Sequence, residues 1–184
     1  MSRTLILILV LILSAVGLLA LSLNNKPEPA TIVAPVSIAQ STLSLTTPKA
    51  SASGTLTSDV VINTNANKVT AVQLELSYNP KDINIVDVTP DLFFKNPTEL
   101  LKKIDSDNGR ISYAMGVGLG QKGISGQGIV ATITFTKLST TGTTSIDFLA
   151  KSLVSAEGLA QSVLKTTLGT NFDLSTVYSS PSAR

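Results

Sequence analysis

The sequence predicts an all-β sandwich of about eight or nine strands with one short helix, preceded by an N-terminal transmembrane or signal helix. Three observations lead to this fold class. Apolar and polar residues alternate with a period of two in one segment after another beyond residue 41, which is the pattern of half-buried strands. Turn-forming residues separate these segments. Only residues 97–104 have a helical pattern, and only residues 1–23 contain a long apolar run.

Residues 1–23 are predicted to be a signal peptide or a membrane anchor. Arg3 precedes an apolar run over residues 5–23, which as a helix would span about 28 Å, close to the thickness of a bilayer core. The length of the run favours an anchor over a cleaved signal peptide. The positive-inside rule then places residues 24–184 outside the cytoplasm, either anchored to the membrane by the N-terminal helix or, if the segment is cleaved, secreted.

A linker, a domain and a tail follow this segment. Residues 24–41 contain Pro27, Pro29 and Pro35, and proline favours extended chain, so a semi-rigid spacer is predicted. Residues 42–174 form the predicted sandwich, and residues 175–184 form a polar tail. The strands of the sandwich are predicted at residues 42–47, 56–62, 72–78, 83–88, 111–115, 129–138, 144–149 and 167–174.

The clearest strand pattern is that of residues 72–78. Its apolar residues Val72, Leu74, Leu76 and Tyr78 are predicted to face the core, and the residues between them to face outward. A helix is predicted at residues 97–104, because proline and an acid come first, two lysines come late, and three apolar residues share one face. At fewer than three turns, such a helix is expected only to cap an opening of the sheet.

The composition excludes several classes of function. The chain contains neither histidine nor cysteine, so the commonest general base, the thiol nucleophile and the disulfide are excluded. Fourteen basic residues against twelve acidic ones provide no basic surface for nucleic acid. The carboxylate pairs Asp82/Asp87 and Asp105/Asp107 fall on turns and strand surfaces with nothing to raise a pKa. No enzyme, catalytic residue or cofactor is therefore predicted.

Two motifs resemble ligand-binding loops. Residues 118–123 match G-x-G-x-x-G, but a dinucleotide site needs a helix next, and residues 129–135 read as a strand, so a glycine-rich loop is predicted. Residues 105–109 resemble the start of a calcium loop, but no further acidic ligand follows. We therefore predict a hairpin turn there and no metal site.

Residues 72–88, with the sequence VQLELSYNPKDINIVDV, resemble the signature of cohesin domains, in which an alternating strand ends in Tyr-Asp-Pro. Further segments at residues 43–45, 59–63, 111–117 and 128–135 follow in the same order, so the resemblance covers about residues 42–174. It implies a nine-stranded jelly-roll β-sandwich that is a non-catalytic binding module. Cohesins bind dockerin domains, which tethers polysaccharide-degrading enzymes to scaffolds or cell surfaces.

The resemblance also implies a binding surface on the strand that ends at Tyr78. Outward residues of this strand and of a neighbouring strand are predicted to contact the partner: Ala71, Gln73, Glu75, Ser77, Ser112 and Ala114. Dockerin-binding cohesins often carry Asn and Asp at the places that Ala71 and Gln73 occupy, and Asn79 replaces the Asp of Tyr-Asp-Pro. These departures leave the identity of the partner open.

Three functional hypotheses result. The first is binding of a dockerin-like protein, linked to cell-surface scaffolding or polysaccharide catabolism. The second is direct binding of a surface polysaccharide. An aromatic platform for sugars is not expected, because the chain has no tryptophan and Tyr78 and Tyr113 are predicted to lie in the core. The third is a structural protein of the cell envelope.

Overall fold

A computed structural model describes residues 39–51 and 54–176. The predicted anchor or signal, residues 1–23, lies outside these residues, and so do most of the predicted linker and of the predicted tail. Nowhere in the described part of the chain is there an apolar helix of membrane-spanning length.

The described residues form twelve β-strands. In chain order they are β1 (Ser41–Leu45), β2 (Lys49–Ala50), β3 (Leu56–Asn63), β4 (Val69–Tyr78), β5 (Ile83–Pro90), β6 (Thr98–Asp105), β7 (Arg110–Gly116), β8 (Gln127–Lys137), β9 (Thr143–Phe148), β10 (Leu153–Ala156), β11 (Leu164–Leu168) and β12 (Thr170–Asp173).

The strands form two sheets, so the predicted sandwich is confirmed. Sheet I has the order β11-β1-β3-β8-β5, with β2 also paired to β3, and sheet II has the order β12-β9-β4-β7-β6, with β10 also paired to β4. The pairs are antiparallel except for β1 and β11, which run parallel. Strands β9 and β10 pair with different parts of β4, so they follow one another along the same edge of that strand.

The core lies between the sheets and is built from the inward faces that the alternating pattern predicts. Val72, Leu74 and Leu76 of β4 are at most 1 % exposed. Tyr78 and Tyr113 are 7 % and 0 % exposed, which confirms that both lie in the core. Burial raises the pKa of both tyrosines above its ordinary value, because a buried phenolate loses its solvation.

The prediction of a helix at residues 97–104 is wrong. These residues form β6, an edge strand that pairs antiparallel with β7. A helix of fewer than three turns has little stability of its own, whereas the free edge of β7 offers a full ladder of backbone hydrogen bonds. A bulge between Glu99 and Leu101 absorbs one residue, so two consecutive leucines that interrupt a period of two still fit a strand.

The predicted strand number also differs from the observed one. The segment predicted as one strand at residues 167–174 is divided into β11 and β12 at Gly169, where a Cβ atom would collide with Asp147. The short strands β2 and β10 were not predicted, since two or four residues are too few to show a period. The observed strands β3, β5, β7, β8 and β9 overlap the segments predicted for them.

An ion pair joins the sheets at one side of the sandwich. Lys102 of β6 lies 2.5 Å from a carboxylate oxygen of Asp87 of β5. The hydrogen bond from Lys102 lowers the pKa of Asp87, and the backbone N–H of Val88, 2.8 Å from the carboxylate, acts in the same direction. Both side chains are partly exposed, at 31 % and 42 %, so the pair contributes only about 0.2–1 kcal/mol.

We expect Lys102→Met to lower the free energy of unfolding by about 0.2–1 kcal/mol at pH 7. Because the folded pKa of Asp87 is depressed, its contribution is present above the ordinary carboxyl pKa and disappears as pH falls through the folded value. The difference between the two proteins should therefore vanish in acid. Urea unfolding at neutral and acid pH measures it, with Lys95→Met in an exposed loop as control. A difference that persists in acid would contradict the assignment.

Candidate functional site

The outward face of β4 lies at the middle of sheet II. Its residues Ala71, Gln73, Glu75 and Ser77 are half-buried and alternate with the core residues of the same strand. On one side β4 pairs with β7, and on the other side with β9 and β10. A strand with neighbours on both sides has a fixed backbone, so these side chains project from a rigid support.

The pairing register arranges the outward residues of sheet II in four rows that cross β6, β7 and β4, and three of these rows continue on β9 or β10. We call the residues of these rows the Glu75 face. The rows are Thr98–Gly116–Ala71–Ser155, Leu101–Ala114–Gln73–Leu153, Lys103–Ser112–Glu75, and Asp105–Arg110–Ser77–Asp147.

All six residues predicted for partner binding lie on the Glu75 face. Gln73 is directly opposite Ala114, and Glu75 is directly opposite Ser112. Ala114 is 9 % exposed and is the most buried of the six. The structure thus brings the predicted residues together on one surface, while their role in partner binding stays a prediction.

Two neighbours hold the carboxylate of Glu75 in place. The side-chain amide of Gln73 donates a hydrogen bond to Oε1 at 2.9 Å, and the hydroxyl of Ser112 donates one to Oε2 at 2.6 Å. The two donors come from β4 and β7, so the charge is fixed relative to both strands. A charge that is already fixed loses less side-chain entropy when a partner binds than a freely rotating one would.

The backbone of Glu75 is held by the segment between β9 and β10. Its carbonyl oxygen accepts hydrogen bonds from the N–H of Leu149 at 2.7 Å and from the hydroxyl of Ser152 at 3.0 Å. The hydroxyl of Ser152 also accepts from the N–H of Glu75 at 3.0 Å. Ser152 is 8 % exposed and completes the ladder of β4 where β9 has ended. Sequence reasoning missed Ser152, because nothing near it in the sequence indicates a contact with residue 75.

Exposed residues of β6 border the Glu75 face. Leu101 is 43 % exposed and stands beside Ala114, and the bulged Leu100 is 64 % exposed. Lys103 stands beside Ser112, and Arg110 beside Ser77. The surface therefore combines apolar contact area with charges of both signs around a central carboxylate.

The two loop motifs of the sequence serve structural roles. The glycine-rich segment leads into strand β8, as predicted, and not into a helix that could bind a pyrophosphate. In the other motif, Asp105 accepts hydrogen bonds from the backbone and the side chain of Asn108 at 3.0–3.1 Å, which lowers the pKa of Asp105. Gly109, with φ of 61°, then leads into β7, so the predicted hairpin turn is confirmed.

The carboxylates of Asp82 and Asp87, which stand close together in the sequence, each have a structural partner. Asp82 accepts a hydrogen bond from the side chain of Asn79 at 2.7 Å, and Asp87 is bound to Lys102. Among residues 39–51 and 54–176, no three acidic side chains come together in a group that could hold a metal ion.

Comparisons with known proteins bear on this fold. The sequence profile of the family described as Cohesin domain matches residues 41–171. No curated protein sequence matches the chain. Among solved structures, a non-cellulosomal cohesin from the hyperthermophilic archaeon Archaeoglobus fulgidus is similar, with a TM-score of 0.57 and 20 % identity over 73 % of this chain and 90 % of that one.

Several similar structures contain a dockerin. The third ScaC cohesin of Acetivibrio cellulolyticus, solved with the ScaB dockerin, has a TM-score of 0.61 and 13 % identity over 73 % of this chain and 98 % of that one. A type I cohesin–dockerin complex with the OlpC cohesin of Clostridium thermocellum has a TM-score of 0.58 and 18 % identity, over 71 % of this chain and 90 % of that one. At these identities the likeness shows a shared fold.

Proposed function

Since the chain belongs to the cohesin domain family, we propose that it is a non-catalytic binding module that docks a dockerin-like protein on the Glu75 face. The observation that carries this proposal is the fixed carboxylate of Glu75, held by Gln73 and Ser112 at the middle of a five-strand surface. Similar structures in complex with dockerins support the class of partner.

The chemistry of the Glu75 face indicates what the partner must offer. The carboxylate of Glu75 keeps lone pairs beyond the two that Gln73 and Ser112 use. A lysine, an arginine or a hydroxyl of the partner could donate hydrogen bonds to these lone pairs. Charge-assisted hydrogen bonds are among the stronger contacts in interfaces. Apolar side chains of the partner would cover Leu101, Ala114 and Leu153.

A binding assay tests the proposal. The full chain is immobilised and exposed to a panel of dockerin modules, beginning with the ScaB dockerin and continuing with those of the source organism. We expect at least one module to bind with a Kd of about a micromolar or less, as specific pairs of this kind of interface do. If no dockerin module binds the immobilised chain more tightly than a control protein without a dockerin does, the proposal of protein docking on this face is wrong.

A second candidate function is polysaccharide binding on the outward face of sheet I. Hydroxyl and carboxylate groups form rows there, with Thr89, Thr132 and Asp59 in one row and Thr134 beside Thr57 in the next. Such rows can hydrogen-bond a glycan without aromatic stacking. Affinity electrophoresis through insoluble and soluble polysaccharides distinguishes the two functions, because Thr134→Ala would reduce retardation and Glu75→Ala would not. Equal mobility on every polysaccharide would exclude this candidate.

The proposed site of action is outside the cytoplasm. Support comes from the sequence of residues 1–23, with a single cation before an apolar run long enough to span a bilayer. An anchored module would hold its partner, and any polysaccharide-degrading enzyme joined to that partner, at the cell surface. External protease should then degrade the domain on intact cells, and protection of the domain until the cells are opened would contradict this location.

A further inference from the structure

The end of the sandwich at which β1 begins, here called the proximal end, is built from three segments that contact one another. The hydroxyl of Ser41 donates to the carbonyl of Thr64 at 3.2 Å, and the side chain of Asn67 donates to the hydroxyl of Ser41 at 3.1 Å. The loop after β3 therefore lies against the start of β1. The chain that comes from residues 1–38 reaches the domain at this end.

The loop between β7 and β8 covers the same end. Gly126 donates its N–H to the hydroxyl of Thr64 at 2.8 Å and accepts the N–H of Thr64 at 2.9 Å. Ile124 and Val69 exchange two backbone hydrogen bonds of 2.8 Å. Gly123 packs so closely on the carbonyl of Lys68 that a Cβ atom would not fit. The base of this loop is thus fixed to the segment that leads into β4.

The tip of this loop is a tight turn that exposes a leucine. Gln121 donates its N–H to the carbonyl of Gly118 at 3.0 Å, and Gly120 has φ of 77°, so residues 118–121 form a turn of type II. Leu119 stands at the outer corner of the turn and is 107 % exposed, the largest exposure among the large apolar side chains of the described residues. No packing in the domain explains a leucine at this position.

Lysines accompany Leu119 at the proximal end. Lys122 follows the turn and is exposed, and Lys68 is exposed beside the base of the loop. Glu157 is an acid at this end, and its N–H bonds the carbonyl of Lys68 at 2.8 Å. An apolar tip with lysines beside it suits the border of a bilayer, where the leucine enters the apolar layer and ammonium groups remain among the headgroups.

The sequence before the domain indicates which surface this tip meets. The apolar run at residues 5–23 and the domain are separated by residues 24–40, which can reach no further than about 60 Å even when fully extended. If the run is embedded in a bilayer, these residues keep the proximal end within about 60 Å of that bilayer. A lipid surface is thus within reach of Leu119.

We propose that the proximal end of the domain rests on the membrane, with Leu119 inserted at the lipid border and Lys68 and Lys122 among the headgroups. This proposal rests on the membrane anchoring proposed above and is independent of the partner that the Glu75 face binds. It orients the domain with the opposite end of the sandwich away from the membrane. The Glu75 face would then lie on the side of the domain, open to a partner.

Single-tryptophan variants test the proposal, because the chain has no tryptophan. Leu119→Trp reports on the proximal end, and Leu138→Trp reports on the opposite end as a matched control, since Leu138 is also an exposed loop leucine, at 60 %. Its N–H bonds the carbonyl of Asp82 at 2.8 Å, beyond the last residue of β4. Each full-length variant is reconstituted into vesicles of phosphatidylcholine and phosphatidylglycerol, with or without bromine on the acyl chains.

We expect the emission of Leu119→Trp to lie at a shorter wavelength and to be quenched by brominated lipid, and that of Leu138→Trp to show neither effect. The charge change Lys122→Glu in the Leu119→Trp background should reduce the quenching. If the two tryptophan variants float with the vesicles but show the same emission and the same quenching, the proposal is overturned while the membrane anchoring stands. A chain that does not float with the vesicles overturns both the proposal and the anchoring on which it rests.

Discussion

Replacement of Glu75 with arginine is expected to weaken the binding of a dockerin-like protein by about 2–5 kcal/mol, which is roughly a thirtyfold to several-thousandfold loss of affinity. Arginine has no acceptor, so the donors of Gln73 and Ser112 lose their partner. The charge at the centre of the Glu75 face is also reversed, and a cation of the partner would meet a cation. Calorimetry measures the effect as the difference in Kd between the variant and the unchanged chain, with the dockerin module that binds the unchanged chain.

A matched control separates lost recognition from lost folding. Thr134→Arg places the same side chain at a half-buried, outward position on β8, which has neighbours on both sides in sheet I, on the other side of the sandwich. Its affinity for the dockerin should equal that of the unchanged chain. Thermal unfolding of both variants verifies the fold. Equal affinities for the two folded variants would show that the partner binds elsewhere.

The second large effect concerns the turn before β7. Gly109 has φ of 61° and lies against the end of β4, where it accepts the N–H of Tyr78 at 3.0 Å. A Cβ atom here would collide with the carbonyl oxygen of Tyr78 and lie 2.8 Å from Cδ of Pro80. Gly109→Ala should lower the free energy of unfolding by about 1–2 kcal/mol because of the left-handed backbone. The displacement of neighbouring atoms by the new methyl group should lower it by about 1–3 kcal/mol more.

Gly120→Ala isolates the steric part of that cost. Gly120 also has a positive φ, of 77°, but nothing lies within 4 Å of a Cβ atom built there. In this variant the free energy of unfolding should fall only by the backbone contribution, about 1–2 kcal/mol. Urea unfolding of both variants gives the two free energies. If they are equal, the close contact of Gly109 with Tyr78 and Pro80 has no energetic weight.

The sequence was informative wherever a residue's environment is set by its own strand. The faces of β4 follow from an uninterrupted alternation over residues 72–78, and the outward positions of Gln73 and Glu75 follow with them. The prediction failed for β6, because two consecutive leucines resemble a helix pattern when the bulge that accommodates them is not visible. The deciding factor there was the free edge of β7, which is a property of the assembled sheet.

Contacts between distant parts of the chain could not be predicted from one sequence. Ser152 supports Glu75 across 77 positions, and the sequence around Ser152 resembles any polar turn. The same holds for β10, a strand of four residues that is defined by its pairing with β4. The candidate surface was therefore predictable in its central strand, whereas the neighbours that fix its carboxylate and its backbone were not.

The parallel pairing of β1 with β11 has a mechanical consequence. Strand β1 begins at the proximal end and runs into sheet I between β3 and β11. A pull on the chain before Ser41, as a tether under tension would exert, acts along the axis of β1. The hydrogen bonds to both neighbours are then loaded together in shear, so β1 cannot peel away one bond at a time. The fold thus places a shear-loaded strand at the point where a tether would transmit force.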